Sequence, residues 1–128
     1  KVNELQSPAF LVNIDKVEMN CKNMDSIAKK YGLNLRCHVK THKTLEIAEM
    51  QTRFQNDKRI EVSTLSEARY FAGKGYNDIL YGVILTESKF KELDGIMEQQ
   101  LPNILSVMVD SEYTLKKMVQ YKENNSNN

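Results

Sequence analysis

Short β-prone runs alternate along this chain with amphipathic helical runs, and the pair recurs about every twenty to twenty-five residues. Parallel strands need a crossover of a dozen or more residues, usually a helix, so this rhythm restricts the chain to repeated βα units around a parallel sheet. The predicted strands cover residues 10–14, 33–39, 60–64, 78–83 and 104–109. In the first helical run Val17, Cys21, Met24, Ala28 and Tyr31 recur at three- and four-residue steps. Ile47, Met50 and Phe54 repeat that spacing in the second, Ala68, Phe71 and Ala72 in the third, Phe90, Leu93 and Met97 in the fourth, and Leu115, Met118 and Val119 in the last. Each set shares one helical face, which predicts a buried stripe, and Met24, Met50, Met97 and Met118 read as core filler.

The boundaries agree with this division. Asp15 with Glu18, and Thr64 with Glu67, have the spacing of capping boxes, while Gly32 and the pair Gly73 and Gly75 stand where helices should stop. Pro102 punctuates the step into the fifth strand, and Asp110 opens the last helix. Five βα units are part of a (β/α)8 TIM-type barrel, which typically needs about 250 residues, whereas this chain has 128 and begins at Lys1. The expected class is therefore α/β, a partial barrel of about five units. Residues 1–121 would be the N-terminal part of a larger barrel domain and 122–128, too polar to bury anything, a disordered tail. Alone, such a piece leaves a strand edge uncovered and should self-associate.

Charge excludes several functions. Eighteen basic residues against seventeen acidic ones give a net charge of +1, scattered over every predicted helix, so no nucleic-acid footprint is present. No apolar run is long enough for a bilayer and no signal pattern precedes the first strand, which predicts a cytoplasmic protein without a membrane partner. Cys21 and Cys37 form neither a disulfide framework nor a paired metal motif, and both are expected reduced.

Chemistry shows in one octet, Arg36-Cys37-His38-Val39-Lys40-Thr41-His42-Lys43. Strand alternation puts Arg36, His38 and Lys40 on one face and Cys37, Val39 and Thr41 on the other, with Cys37 toward the helices. If the polar face points into a parallel barrel, Lys40 stands at the strand end where such folds place their active sites. Desolvation and the charge of Arg36 would both favour a neutral amine there, able to form a Schiff base with an aldehyde cofactor. Arg36, deeper in the barrel, should be paired, and His38, nearer the mouth, could contact the cofactor or relay a proton. His38 and His42 are four apart, but on a strand-to-loop segment that spacing does not bring two ligands together, so no metal site is assigned. Thr64 reads first as a helix cap. Tyr81 reads equally as a packed aromatic or as a hydrogen-bonding residue at the barrel mouth.

The octet resembles the Arg-Pro-His-x-Lys-Thr-His-Lys signature of the fold-type III pyridoxal phosphate enzymes related to D-serine dehydratase and D-threonine aldolase, which use an alanine racemase-like barrel. Cys37 replaces the signature's proline. Ser7-Pro8-Ala9-Phe10-Leu11-Val12, Val62-Ser63-Thr64-Leu65-Ser66-Glu67-Ala68 and Asp78-Ile79-Leu80-Tyr81-Gly82 are similar to further segments of that family in the same order. The resemblance implies a lyase acting on small D-amino acids, with pyridoxal 5'-phosphate covalent on Lys40 and Arg36, His38, Thr64 and Tyr81 as candidate cofactor neighbours. It implies a homodimer for the complete protein. It also implies that the cofactor phosphate is held after later strands and that a divalent metal such as zinc is bound in a C-terminal domain, neither of which falls in this chain. A noncatalytic pyridoxal phosphate-binding barrel and an inactive fragment are the alternative readings.

Overall fold

The computed structural model describes residues 2–55, 58–100 and 104–125. Its elements run α1 (Ile14–Tyr31), β1 (Cys37–His38), α2 (Leu45–Thr52), β2 (Arg59–Val62), α3 (Leu65–Ala72), β3 (Asp78–Ile84), α4 (Phe90–Gln100), β4 (Ile104–Met108) and α5 (Glu112–Asn125). All strand pairs are parallel, and the order in the sheet is the order in the chain, β1-β2-β3-β4. Crossovers that never reverse direction lay α2, α3 and α4 on the same face, and α5 packs there beside them. A doubly wound sheet, in contrast, reverses its strand order and covers both faces.

The covered face is the core. Val39, Ile60, Val62, Ile79 and Tyr81 from the strand segments meet Ala48, Leu65, Ala68, Phe71, Phe90 and Ile96 from the helices, all buried. Phe71 stands edge-on to the fully buried Tyr76, with ring centroids 5.4 Å apart. The other face carries Arg36, His38, Arg59, Glu61 and Asp78, which pair across the strands. Apolar and polar residues alternate along β2 because its two faces meet a helix layer and an open polar layer.

Among the described residues four strands are present where five were expected. Residues 10–14 do not join the sheet: Phe10 is 93% exposed and α1 already starts at Ile14. A strand exists through its ladder partner, and among the described residues this apolar segment has none. The predicted strand 33–39 contracts to Cys37–His38 for the same reason. Asn13, rather than Asp15 and Glu18, caps α1 by accepting a bond from Lys16 N at 2.9 Å. Glu18 instead pairs with Lys22 and Arg53, each at 3.2 Å.

Three helical stripes are less buried than their spacing suggests. On α1, Ala28 is buried but Met24 is 51% and Tyr31 64% exposed, since this edge helix packs on α2 and has no neighbour on its far side among the described residues. Phe54 lies past the end of α2, exposed beneath the Lys29 ammonium, and Thr52 takes its inward place. Leu115 and Val119 of α5 are exposed too, while Met118 and Tyr121 pack on the core, Tyr121 against Phe90. The helix continues to Asn125, whose amide donates to Tyr121 O at 2.7 Å, so residues 122–125 are helical rather than tail. Residues 126–128 and Pro102 lie outside the described residues.

Candidate active site

The polar face is built in layers. Lowest is Arg36, whose guanidinium reaches past β2 to β3: it pairs with Asp78 Oδ1 at 2.7 Å and donates to the carbonyls of Ile60 and Asp78, each at 3.2 Å. Arg59 approaches the other Asp78 oxygen at 3.7 Å. A half-buried charge needs such partners, and the planar Arg fork satisfies several acceptors at once. Arg36 is thus paired as its depth suggested, and its charge is engaged by Asp78 rather than turned on Lys40.

His38 forms the next layer, opposite Glu61 in the ladder. Its Nε2 lies 3.3 Å from Ser63 Oγ and 3.8 Å from Glu61 Oε1, and its Nδ1 accepts from Lys40 N at 3.3 Å. Val39 then turns into the core, fully buried, and the chain leaves the sheet. Lys40 follows in a turn closed by Lys43 N donating to Val39 O at 2.8 Å, with Lys43 itself at a left-handed φ of 54°. Lys40 is exposed, so the desolvation expected from the sequence is not supplied by these residues.

The two signature lysines differ in their surroundings. Lys43 Nζ is 2.8 Å from Glu67 Oε1, whereas among the described residues Lys40 Nζ has no ion-pair or hydrogen-bond partner. Burial by itself would raise the Glu67 carboxyl, but Lys43 and the N–H groups of Ser63 and Thr64 outweigh it and hold the group below its ordinary value. Ser63 N donates to Glu67 Oε2 at 2.8 Å, one residue earlier than a capping box requires. This buried carboxylate therefore ties the Lys40 turn to the start of α3. His42 is occupied separately: its Nδ1 accepts from Thr44 N at 3.1 Å and its Nε2 lies 3.0 Å from Gln51 Oε1, so the ring caps α2.

Of the remaining candidates, Thr64 is the cap of α3, accepting from Glu67 N at 3.1 Å. Tyr81 is 6% exposed and packs in the core on the face opposite His38, the packed aromatic of the two sequence readings. Cys37 faces α2, as parity required, within 3.6 Å of Gln51 O and accepting from Gln55 Nε2 at 3.3 Å. Burial pushes its thiol up, with the Gln55 bond opposing. The structure thus gathers Arg36, His38 and Lys40 along one strand end and leaves Tyr81 apart from them. Glu61, Asp78 and Gly82 were not singled out as partners from the sequence. The alternation in Arg59-Ile60-Glu61-Val62-Ser63 was the available signal, since it mirrors that of Arg36-Cys37-His38.

No protein-family model matches the chain. It is 38% identical over 132 residues to D-serine dehydratase of Dictyostelium discoideum, an alignment covering 98% of this chain and 32% of the relative. It is 35% identical over 88 residues to D-threo-3-hydroxyaspartate dehydratase of Delftia sp. strain HT23, covering 69% of this chain and 23% of that one. In structure it superimposes on an alanine racemase-like protein from Idiomarina loihiensis with a TM-score of 0.89 and 28% identity, over 98% of this chain and 33% of the other. The chain spans about a quarter to a third of the length of these proteins. Sequence and fold together place it with the D-serine dehydratase and D-threo-3-hydroxyaspartate dehydratase homologues, on an alanine racemase-like α/β architecture.

Proposed function

We propose that the complete protein carrying this chain is a pyridoxal phosphate-dependent lyase for a small D-amino acid with a β-hydroxyl group, and that Lys40 is its cofactor lysine. The observation that carries this reading is the contrast between the two lysines. An amine that must attack an aldehyde has to be unpaired and accessible; among the described residues Lys40 is both, while Lys43 is held by Glu67. Lys40 also follows the C-terminal end of a parallel strand, where barrels of this type gather their chemistry.

The residues present fit the cofactor as an aldehyde-binding amine on an anchored turn. When bound, pyridoxal phosphate supplies an electron sink for the negative charge left at the substrate Cα. Lys40 Nζ holds the cofactor and, when free again, is the group able to accept a proton from that carbon. His38 orients the Lys40 main chain, and Arg36 with Asp78 keeps β1 to β3 in register beneath it. The resemblance assigns phosphate binding, and a divalent metal such as zinc, to other parts of the protein, and implies a homodimer.

Pyridoxal phosphate added to the full-length protein should give an absorbance band near the visible edge that Lys40→Ala abolishes. After borohydride reduction, peptide mapping should find the label on Lys40. Equal labelling of Lys43 and surface lysines would remove the assignment.

A further inference from the structure

We propose that Glu61, seated in a notch left by Gly82, is a positioning residue that sets the direction of Lys40 through His38. This rests on Lys40 being the reactive amine. Glu61 on β2 and Gly82 on β3 share the polar face, because Glu61 pairs with Leu80 and Gly82 lies two residues further along the same side. A Cβ on Gly82 would meet Glu61 Cγ and Cδ at 2.7 Å and Oε1 closer still. Only glycine there leaves the carboxylate its place beside the imidazole.

The partners of His38 decide where its proton sits. Lys40 N–H can only donate, so Nδ1 is an acceptor and the neutral ring carries its hydrogen on Nε2. Nε2 faces Ser63 Oγ and the Glu61 carboxylate. The serine hydroxyl can donate or accept and cannot select a tautomer, whereas the Glu61 carboxylate, at 3.8 Å too far for a hydrogen bond, favours Nε2–H through its charge. Glu61 and the Lys40 amide thus choose the same form from opposite ends. The ring becomes a strut between β2 and the Lys40 peptide rather than a free acid or base.

His42 provides an internal control. Its Nδ1 also accepts a backbone N–H and its Nε2 faces Gln51 Oε1, so it should adopt the same tautomer without help from Glu61. The chain has only these two histidines, which makes both rings assignable by long-range nitrogen–proton NMR. In the 128-residue chain above neutral pH, both should show Nε2–H. Glu61→Leu and Gly82→Ala should release the ring from β2, so that its bond to the Lys40 amide loosens and the His38 nitrogen signals shift, and should leave His42 unchanged. In the full-length protein both should slow borohydride-trapped attachment of pyridoxal phosphate at Lys40 by about tenfold or more, since a misplacement of about 1 Å at a reacting group costs up to about a hundredfold. If Gly82→Ala fails to fold, Glu61→Leu carries the test, with the thermal transition as the check on folding. A folded Glu61→Leu chain with wild-type His38 signals and wild-type Lys40 labelling overturns the proposal, as does an unselected His38 in the wild type. Absence of labelling at Lys40 in the wild-type full-length protein instead overturns the cofactor reading.

Discussion

Removing the Glu67 carboxylate tests whether the turn bearing Lys40 is held from α3. The Glu67 side chain is only 8% exposed, but its ionic partner Lys43 is 57% exposed, so solvent screens that pair and it is worth at most about 1 kcal/mol. The bond from Ser63 N is accepted by Glu67 Oε2 at 2.8 Å, and hydrogen bonds to charged groups contribute about 1.5–3 kcal/mol. Glu67→Ala should therefore cost about 2–3 kcal/mol, most of it from the backbone bond, and lower Tm by about 10 °C for a domain of this size. Glu67→Gln can keep an acceptor for Ser63 and should cost about half as much. The pH dependence has a definite sign. The folded carboxyl lies below its ordinary value, so its contribution is fully present above the unfolded value of about 4.3 and is lost as pH falls through the lowered folded one. Urea unfolding of the wild type, Glu67→Gln and Lys43→Met between about pH 3 and pH 7 covers that window. The acid limb should flatten in Glu67→Gln. A Glu67→Gln protein that matches the wild type at neutral pH and follows the same acid limb would refute the clamp. Lys43→Met costing more than Glu67→Ala would show that the ion pair, not the backbone bond, dominates.

Arg36→Met should destabilise the sheet by about 2–3 kcal/mol, because Asp78 would keep only the more distant Arg59 among the two cations now beside it; denaturant melts give the value, and a neutral outcome would mean the cross-strand tie is dispensable. Cys37, half-buried with its thiol pushed up, should be alkylated several-fold more slowly by iodoacetamide at neutral pH in the folded chain than in urea. Mass spectrometry of the two conditions reads this directly, and equal rates would place the thiol in solvent.

Much of the architecture was legible because its rules are local. The alternation of two- and three-to-four-residue periods gave the βα succession, the cap at Thr64 and the buried face of α3 at Ala68, Phe71 and Ala72. Strand parity likewise put Cys37 toward the helices and Arg36 with His38 on the polar side. Tertiary structure decided what depends on partners distant in the chain. Arg36 finds its acceptors 24 and 42 residues away, Lys43 finds Glu67, and Glu61 finds room only at Gly82. The same holds for exposure: residues 10–14 have strand-like composition but no ladder partner among the described residues, and Met24 has helical stripe spacing but faces an open cavity beside Cys37 and Gln51. Sequence by itself determined which side of each element is apolar, since that follows from backbone geometry within a few residues. Which charges meet across that geometry, and so which of the two lysines pairs with Glu67, required the strands to be side by side.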